Sequence, residues 1–172
     1  MAAPLYSLII VNERALFNKE MVYSVDRYME TIIGKNAVRC FIFQSTALAT
    51  GLWLVWHMGW VWNTELILKF ALLVALMILL SIVHFGIQSK IERLFDDIHG
   101  DPIPTQTASA VKRLRLYRKR FAAACLFILM VIVLISLQIF SRYPLFANLI
   151  ILALAALFSV RAFRNPLRLG WW

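Results

Sequence analysis

The chain has 172 residues, of which 62% are hydrophobic and 16% are charged, and its formal net charge is +9. Soluble domains are about half apolar and about a quarter charged, so this composition excludes an ordinary soluble domain and predicts a membrane protein. The sequence has no phosphate-binding loop, HExxH pair, nucleophile elbow or nucleotide-binding fingerprint. We therefore expect a protein that is not an enzyme.

Residues 1–39 form the first predicted unit, a cytoplasmic amphipathic segment. The stretch from Leu5 to Val11 is too short for the core of a signal peptide. Apolar residues recur as far as Ile32 at helical spacing, which predicts one or two helices. These helices either lie on the membrane surface or dock on a partner subunit, since both environments favour the same pattern. Charged residues are interleaved with the apolar ones: Glu13, Lys19, Asp26, Arg27 and Glu30.

Residues 40–163 form the second predicted unit, a four-helix transmembrane domain arranged as two hairpins. Three apolar runs reach the roughly 20 residues that a helix needs to cross hydrocarbon, and the fourth does so only if Ala162 and Phe163 extend it. Only helices or closed barrels satisfy every backbone group in lipid, and these runs lack the alternation of barrel strands. The sequence therefore predicts an all-α integral membrane protein. The predicted spans are about 41–62, 66–87, 121–140 and 145–163, with a cytoplasmic loop over 88–120 and a cytoplasmic tail over 164–172.

The basic residues predict the orientation of the chain. Sixteen of the 18 Lys and Arg residues lie in the N-terminal segment, the 88–120 loop and the segment after Val160. On the opposite side lie only Lys69, one turn inside the second span, and Arg142, in the turn between the third and fourth spans. The positive-inside rule then places both termini in the cytoplasm, and we expect a bacterial inner-membrane protein. The charge requires no nucleic acid as partner. Six clustered residues are predicted to contact anionic headgroups or a partner: Lys112, Arg113, Arg115, Arg118, Lys119 and Arg120.

Polar residues are scarce inside the predicted spans. No Asp, Glu, Lys or Arg lies near the middle of a span, which argues against an ion-coupled transporter or a proton pump. Small residues four apart, at Ala47 and Gly51 and at Ala155 and Ser159, predict close helix packing. Four tryptophans are predicted to contact lipid at the outer interface: Trp53, Trp56, Trp60 and Trp62.

Two intramembrane histidines are the candidates for cofactor binding. His57 and His84 differ in predicted depth by about 20 Å, so they cannot be the two axial ligands of one haem. Each could ligate its own haem or chlorin, since an intramembrane histidine is a functional candidate. The alternatives are an interfacial ring for His57 and a hydrogen bond to a neighbouring helix for His84.

A second candidate site combines His84 with two cysteines that the topology places in the same leaflet. Cys40 lies at the start of the first span and Cys125 near the start of the third. Two thiolates and an imidazole would suit Cu(I) or zinc. The alternative is a pair of inert, reduced thiols. A further group, Glu92, Asp96, Asp97 and His99, is more typical of a solvated turn than of a metal site.

Several short motifs resemble those of the copper-resistance D (CopD-like) group of bacterial membrane proteins. They are Ala47-Leu-Ala-Thr-Gly-Leu-Trp-Leu54, Leu66-Ile-Leu-Lys-Phe-Ala-Leu-Leu73, Ser81-Ile-Val-His84 and Arg118-Lys-Arg-Phe121. The resemblance covers about residues 38–141. It implies an α-helical inner-membrane domain linked to copper passage or to a cofactor, with His84 as the residue that inherits a family role. The chain departs from the group in lacking an opening transmembrane helix and a wealth of His and Met.

These observations predict a non-catalytic accessory subunit of a larger inner-membrane complex, either energy-transducing or metal-dependent, whose partners are other membrane subunits. The rival is a CopD-like copper- or haem-binding protein that uses His57 or His84. A small-solute transporter is a third class, and the sequence provides no polar pathway for it.

Overall fold

A computed structural model of the protein describes residues 21–59, 62–98, 100–140 and 144–164, and every regular element in them is helical. The all-α prediction is confirmed for these residues. A π-helical segment, Ile82–Gln88, joins two of the helices, so that Thr64–Asp96 is one continuous helix. The α-helices are α1 (Tyr23–His57), α2 (Thr64–Ser81), α3 (Ser89–Asp96), α4 (Thr105–Phe140) and α5 (Leu145–Arg164).

Three of the helices are long and apolar enough to cross a membrane by length and composition. They are Tyr23–His57, Thr64–Asp96 and Thr105–Gln138. The last helix is also apolar but shorter, over Leu145–Arg161. These lengths support a multi-pass membrane protein, and the fourth crossing stays a prediction.

The helices are longer than the predicted spans, and their boundaries differ. Helix α1 runs without a break through residue 40, which is the predicted boundary between the amphipathic segment and the transmembrane domain. Of that segment, residues 1–20 lie outside the described residues, as do Trp60, His99 and the tail after residue 164. Much of the predicted 88–120 loop is helical as well, since α3 ends at Asp96 and α4 begins at Thr105.

A tight turn ends α1 at His57, five residues before the predicted end of the span. The Met58 N–H donates to the Leu54 carbonyl at 2.9 Å, and Gly59 follows with φ +61°. A side chain is rarely tolerated at such a φ, so glycine suits this position. Asn63 then caps α2, because its Oδ1 accepts a hydrogen bond from the Leu66 N–H at 2.8 Å.

The best-packed core lies at one end of the helices, which we call the charged end and define as residues 21–39 and 87–120. Its buried apolar residues are Ile87, Ile91, Phe95 and Val111. By contrast, only 11%, 11% and 6% of residues are buried in the most apolar windows of the three long helices. The hydrophobic effect drives apolar side chains together in water, whereas lipid solvates them and provides no such driving force. A small fraction of buried residues in these apolar stretches is therefore expected of helices that span a membrane.

Small and polar residues bring the spans together where they do meet. The Ser159 hydroxyl, which is 1% exposed as a residue, donates to the Ala123 carbonyl and ties α5 to α4. Toward the other end of the same hairpin, the Gln138 amide donates to the Asn148 side chain. A Cβ added to Gly51 would meet the Phe70 ring at 3.4 Å, so this glycine permits close approach of α2. These contacts agree with the packing role predicted from small residues.

Candidate functional site

The charged end contains a buried group of polar side chains, which we call the ionic cluster. Asp26 and Glu30 are 0% and 3% exposed. The Arg115 guanidinium lies 2.7 Å from Asp26 Oδ1 and 2.8 Å from Glu30 Oε1. Two carboxylates and two guanidinium groups thus compensate one another away from water, as buried charges require. The cluster consists of Asp26 and Glu30 from α1, Gln88 from the π-helical segment, and Arg115 and Arg118 from α4.

Arg118 and Gln88 complete the connections. Arg118 pairs with Glu30 and also donates from Nη1 to Gln88 Oε1 at 2.6 Å. The Gln88 amide nitrogen lies 3.2 Å from Glu30 Oε2 and 3.1 Å from Glu92 Oε1. Glu30 therefore bonds to both arginines and to the glutamine, which joins three stretches of the chain at one carboxylate.

Helical spacing explains why these side chains converge. Asp26 and Glu30 are four residues apart, and Arg115 and Arg118 are three apart, so each pair lies on one helix face. At 100° per residue, Gln44 and Val55 fall on the same face of α1 as Asp26. Asp26, Gln44 and Val55 are all buried. The inward stripe of α1 is thus acidic at the charged end and becomes neutral and then apolar along the predicted span.

The burial of Asp26 and Glu30 differs from the amphipathic prediction. In that prediction the charged residues face water and the apolar ones face lipid or a partner, yet Val25 is 44% exposed while both acids are buried. The physical reason is the presence of two guanidinium groups on α4, which form charge-assisted hydrogen bonds with the acids. Complementary pairs of acids and arginines at helical spacing were the available signal for this cluster.

Two of the six basic residues predicted to contact lipid or a partner are part of this cluster. The side chains of Arg115 and Arg118 are 20% and 11% exposed and bind acids within the chain instead. Lys112, Arg113 and Arg120 are exposed, and Lys119 is partly buried. For these four residues, contact with anionic headgroups or a partner stays a prediction.

The pKa of Glu30 responds to two opposing influences. Burial by itself raises the pKa of this carboxyl group, but attraction and hydrogen bonding from Arg118 and Arg115 outweigh the burial. The net result is a Glu30 pKa below its ordinary value. Glu30 precedes the predicted span. Because its pKa is lowered in the folded state, its charge stabilises the folded charged end.

Acid is expected to weaken this stabilisation. Because the pKa is lowered in the folded state, the contribution of Glu30 is present above the unfolded-state pKa of about 4.3 and is lost as the pH falls through the folded-state value. Wild type should melt at a higher temperature than Glu30→Gln at pH 7, and the difference should shrink below about pH 4. Far-UV circular dichroism in mild detergent would measure both. Glu65→Gln, at an exposed residue, is the control; a Glu30→Gln difference that stays constant with pH would contradict the prediction.

The two candidate histidines lie in different surroundings. His84 belongs to the π-helical segment, and its ring centroid is 6.0 Å from that of Phe41. Its Nδ1 is buried and has no hydrogen-bond partner in the part of the chain that the structure describes. His57 is exposed and stacks on Trp53, with ring centroids 5.0 Å apart and planes 7° from parallel. The hydrogen bond predicted for His84 as an alternative is thus missing at Nδ1, whereas His57 has the interfacial surroundings expected of a residue beside Trp53.

The predicted metal site is not assembled. Among the described ranges, no three His, Cys, Asp or Glu side chains form a group that could hold a metal ion. Cys40 and Cys125 are free thiols on separate helices, and the structure does not join them to His84 as one ligand set. One histidine does not satisfy Cu(I) or zinc, which need further ligands, so these residues do not fit the metal.

The exposed tryptophans agree with a lipid-facing role. Trp53, Trp56 and Trp62 are 61%, 87% and 53% exposed. Trp62 also contacts the Phe70 ring, at a centroid distance of 5.5 Å. Contact of these side chains with lipid stays a prediction.

A cleft of about 460 Å³ adjoins the ionic cluster between α1 and the helix that continues from α2 into α3. His84 and Phe95 contribute to its wall. Its charged lining carries both signs, so it favours neither a cation nor an anion. The charged residues are Arg27, Glu30, Lys35, Glu92 and Asp96.

Comparisons with protein-family models, curated proteins and solved structures found no match to this chain. The CopD-like resemblance therefore rests on its short motifs and stays a prediction. The described geometry is the remaining basis for a functional proposal.

Proposed function

We propose that this chain is a non-catalytic accessory subunit of a larger membrane complex, and that α1 packs against a helix of another subunit. The observation that carries the proposal is an exposed face of small residues on α1, opposite its buried stripe. We call it the small-residue face and define it as Ser45, Thr46, Ala49 and Thr50, all of which are exposed.

The position of this face follows from helix geometry. At 100° per residue, Ala49 lies about 120° from Val55 and about 140° from Gln44, both of which are buried. Small side chains let two membrane helices approach closely, and helix–helix interfaces are enriched in them. Leucine and phenylalanine would fill the same positions if contact with lipid chains were the only requirement. The small-residue face therefore suits a partner helix.

The two threonine hydroxyls on this surface form hydrogen bonds within α1. The Thr46 hydroxyl donates to the Ile42 carbonyl at 2.8 Å, and the Thr50 hydroxyl donates to the Thr46 carbonyl at 2.7 Å. Such bonds to the carbonyl four residues earlier satisfy the hydroxyl within its own helix. A partner can thus pack against Thr46 and Thr50 without desolvating a free donor on either residue.

The ionic cluster supports this role by holding α1 in place. Its ion pairs join Asp26 and Glu30 of α1 to Arg115 and Arg118 of α4. A helix anchored at one end presents its opposite face in a defined direction, which reduces the ordering cost when a partner binds. In the full proposal four helices cross a bacterial inner membrane, and both termini are cytoplasmic.

The test is purification of the tagged full-length chain in mild detergent from its native membrane, followed by quantification of co-purifying proteins. We expect stoichiometric membrane partners, and we expect Ala49→Phe to lower their recovery at least tenfold because the larger ring separates the helices. Ala153→Phe is the matched control, since Ala153 is an exposed alanine on α5. A lone monomer, or equal effects of the two substitutions, would reject the proposal.

A second candidate is the CopD-like haem- or copper-binding protein, and one observation favours it. His84 has a buried Nδ1 without a partner and lies in a π-helical segment, a rare conformation that recurs at functional sites. One such imidazole could serve as an axial ligand of haem, whereas it does not suffice for copper. The purified sample would distinguish the candidates: a Soret band supports the second, and partners without a Soret band support the first.

A further inference from the structure

A groove of about 690 Å³ lies between α4 and α5, next to the charged end. Alanine side chains and Phe127 make its surface apolar. Lys119 and Arg120 lie in the same groove, one helical turn before Ala123 and Ala124. The hydroxyl of Ser159, which also lines the groove, already donates to the Ala123 carbonyl. The groove therefore combines an apolar surface with two cationic groups at one end.

The described residues provide no counter-charge at the cationic end of the groove. None of the acidic residues among them lines the groove, and none forms an ion pair with Lys119. The buried acids of the charged end, Asp26 and Glu30, pair with Arg115 and Arg118.

Lys119 is partly buried, and its surroundings disfavour its charge. Burial, together with repulsion from Arg118 and then Arg115, lowers the pKa of Lys119. A bound anion would compensate a cation that is partly withdrawn from water.

We propose that this groove holds one anionic phospholipid, with its phosphate at Lys119 and Arg120 and an acyl chain along the alanine-lined surface of α4 and α5. Charge complementarity selects a phosphate, and the apolar surface selects a molecule that carries a hydrocarbon chain next to it. A phospholipid has both parts at the required separation, because its headgroup lies at the membrane interface and its chain lies in the hydrocarbon. The site is independent of the small-residue face, which lies on α1.

The first test measures retention of phosphatidylglycerol by the full chain. The protein is reconstituted in nanodiscs of phosphatidylglycerol and phosphatidylcholine, released into mild detergent, and weighed with bound lipid by native mass spectrometry. We expect one retained phosphatidylglycerol in wild type. Replacing both Lys119 and Arg120 by Gln should weaken its retention about thirtyfold, from about 1 kcal/mol for each basic residue at an anionic surface.

The matched control removes the same charge from the same helix outside the groove. Lys112 and Arg113 are exposed, and both are replaced by Gln in the control variant. Equal lipid loss in the two double variants would overturn the proposal, because it would show general attraction of the basic segment. Displacement of the lipid by millimolar inorganic phosphate would also overturn it, because it would identify a site for a free anion.

A third variant tests the apolar part while keeping every charge. Ala156→Phe places a ring in the groove, and we expect loss of the retained lipid with an unchanged circular dichroism spectrum. Ala153→Phe, on the exposed side of the same helix, should retain the lipid. Retention by Ala156→Phe at the wild-type level would overturn the proposal.

Discussion

Replacing Arg115 by Met is expected to destabilise the charged end by about 3–5 kcal/mol, the usual consequence of removing one partner of a buried ion pair. Arg115 contacts Asp26 at 2.7 Å and Glu30 at 2.8 Å. Asp26 is 0% exposed, so it cannot recover its hydration while the fold persists. The methionine fills a similar space but donates no hydrogen bond, which isolates the effect of the lost charge.

Arg27→Met is the matched control for this experiment. Arg27 pairs with Asp96 at 3.1 Å, but the two side chains are 48% and 65% exposed. Exposed pairs contribute about 0–1 kcal/mol, since water and salt replace the lost partner. Titration with a denaturing detergent in mixed micelles, followed by circular dichroism, would compare the two variants. Equal losses of stability would show that the burial of the ionic cluster has no energetic consequence.

Replacing Phe95 by Ala is expected to cost about 3–5 kcal/mol through lost burial and the cavity that remains. Phe95 is 2% exposed and packs with Ile91 and Val111 in the apolar core. Its ring also lies 6.0 Å from the Arg115 guanidinium and 6.3 Å from the Tyr23 ring. The substitution therefore weakens the core and removes a wall beside the ionic cluster.

Phe85→Ala provides the comparison, because Phe85 lies in the π-helical segment of the same continuous helix but is 70% exposed. Its loss removes ring contacts with Phe41 and His84 and leaves no enclosed cavity, so we expect less than about 1 kcal/mol. The same unfolding titration applies to both variants. If Phe85→Ala cost as much as Phe95→Ala, the packed core would not lie at the charged end.

These two experiments connect stability to the proposed function. The ionic cluster and the Phe95 core hold α1 against α3 and α4, and α1 presents the small-residue face on its other side. Variants that loosen the charged end keep Ala49 in the sequence, but they should hold α1 less firmly, so that the small-residue face no longer points in one direction. A partner interface that depends on that orientation would weaken in Arg115→Met and persist in Arg27→Met.

Some features of the fold could be predicted from the sequence, and others could not. The all-helical secondary structure was predicted from the apolar runs, and it is confirmed for the described residues. The packing of Ser159 was predicted from its spacing to Ala155 and is likewise observed. Asp26 was predicted only as a charged residue interleaved among the apolar ones of an amphipathic segment, because spacing along one helix does not reveal which other helix will cover it. The metal site of Cys40, His84 and Cys125 was predicted because the three residues lie at similar depths in the membrane. Similar depth alone does not bring side chains into contact.

By itself, the sequence determined an all-helical protein whose long apolar helices suit a membrane, because lipid requires every backbone group to bond internally and apolar length is a local property. Only the tertiary structure decided which charges are buried. Asp26 and Glu30 lie 85 to 89 residues away from their arginine partners, so their pairing depends on how α1, the π-helical segment and α4 pack together. The charge of these residues was visible in the sequence, and the removal of water that gives them their energetic effect was not.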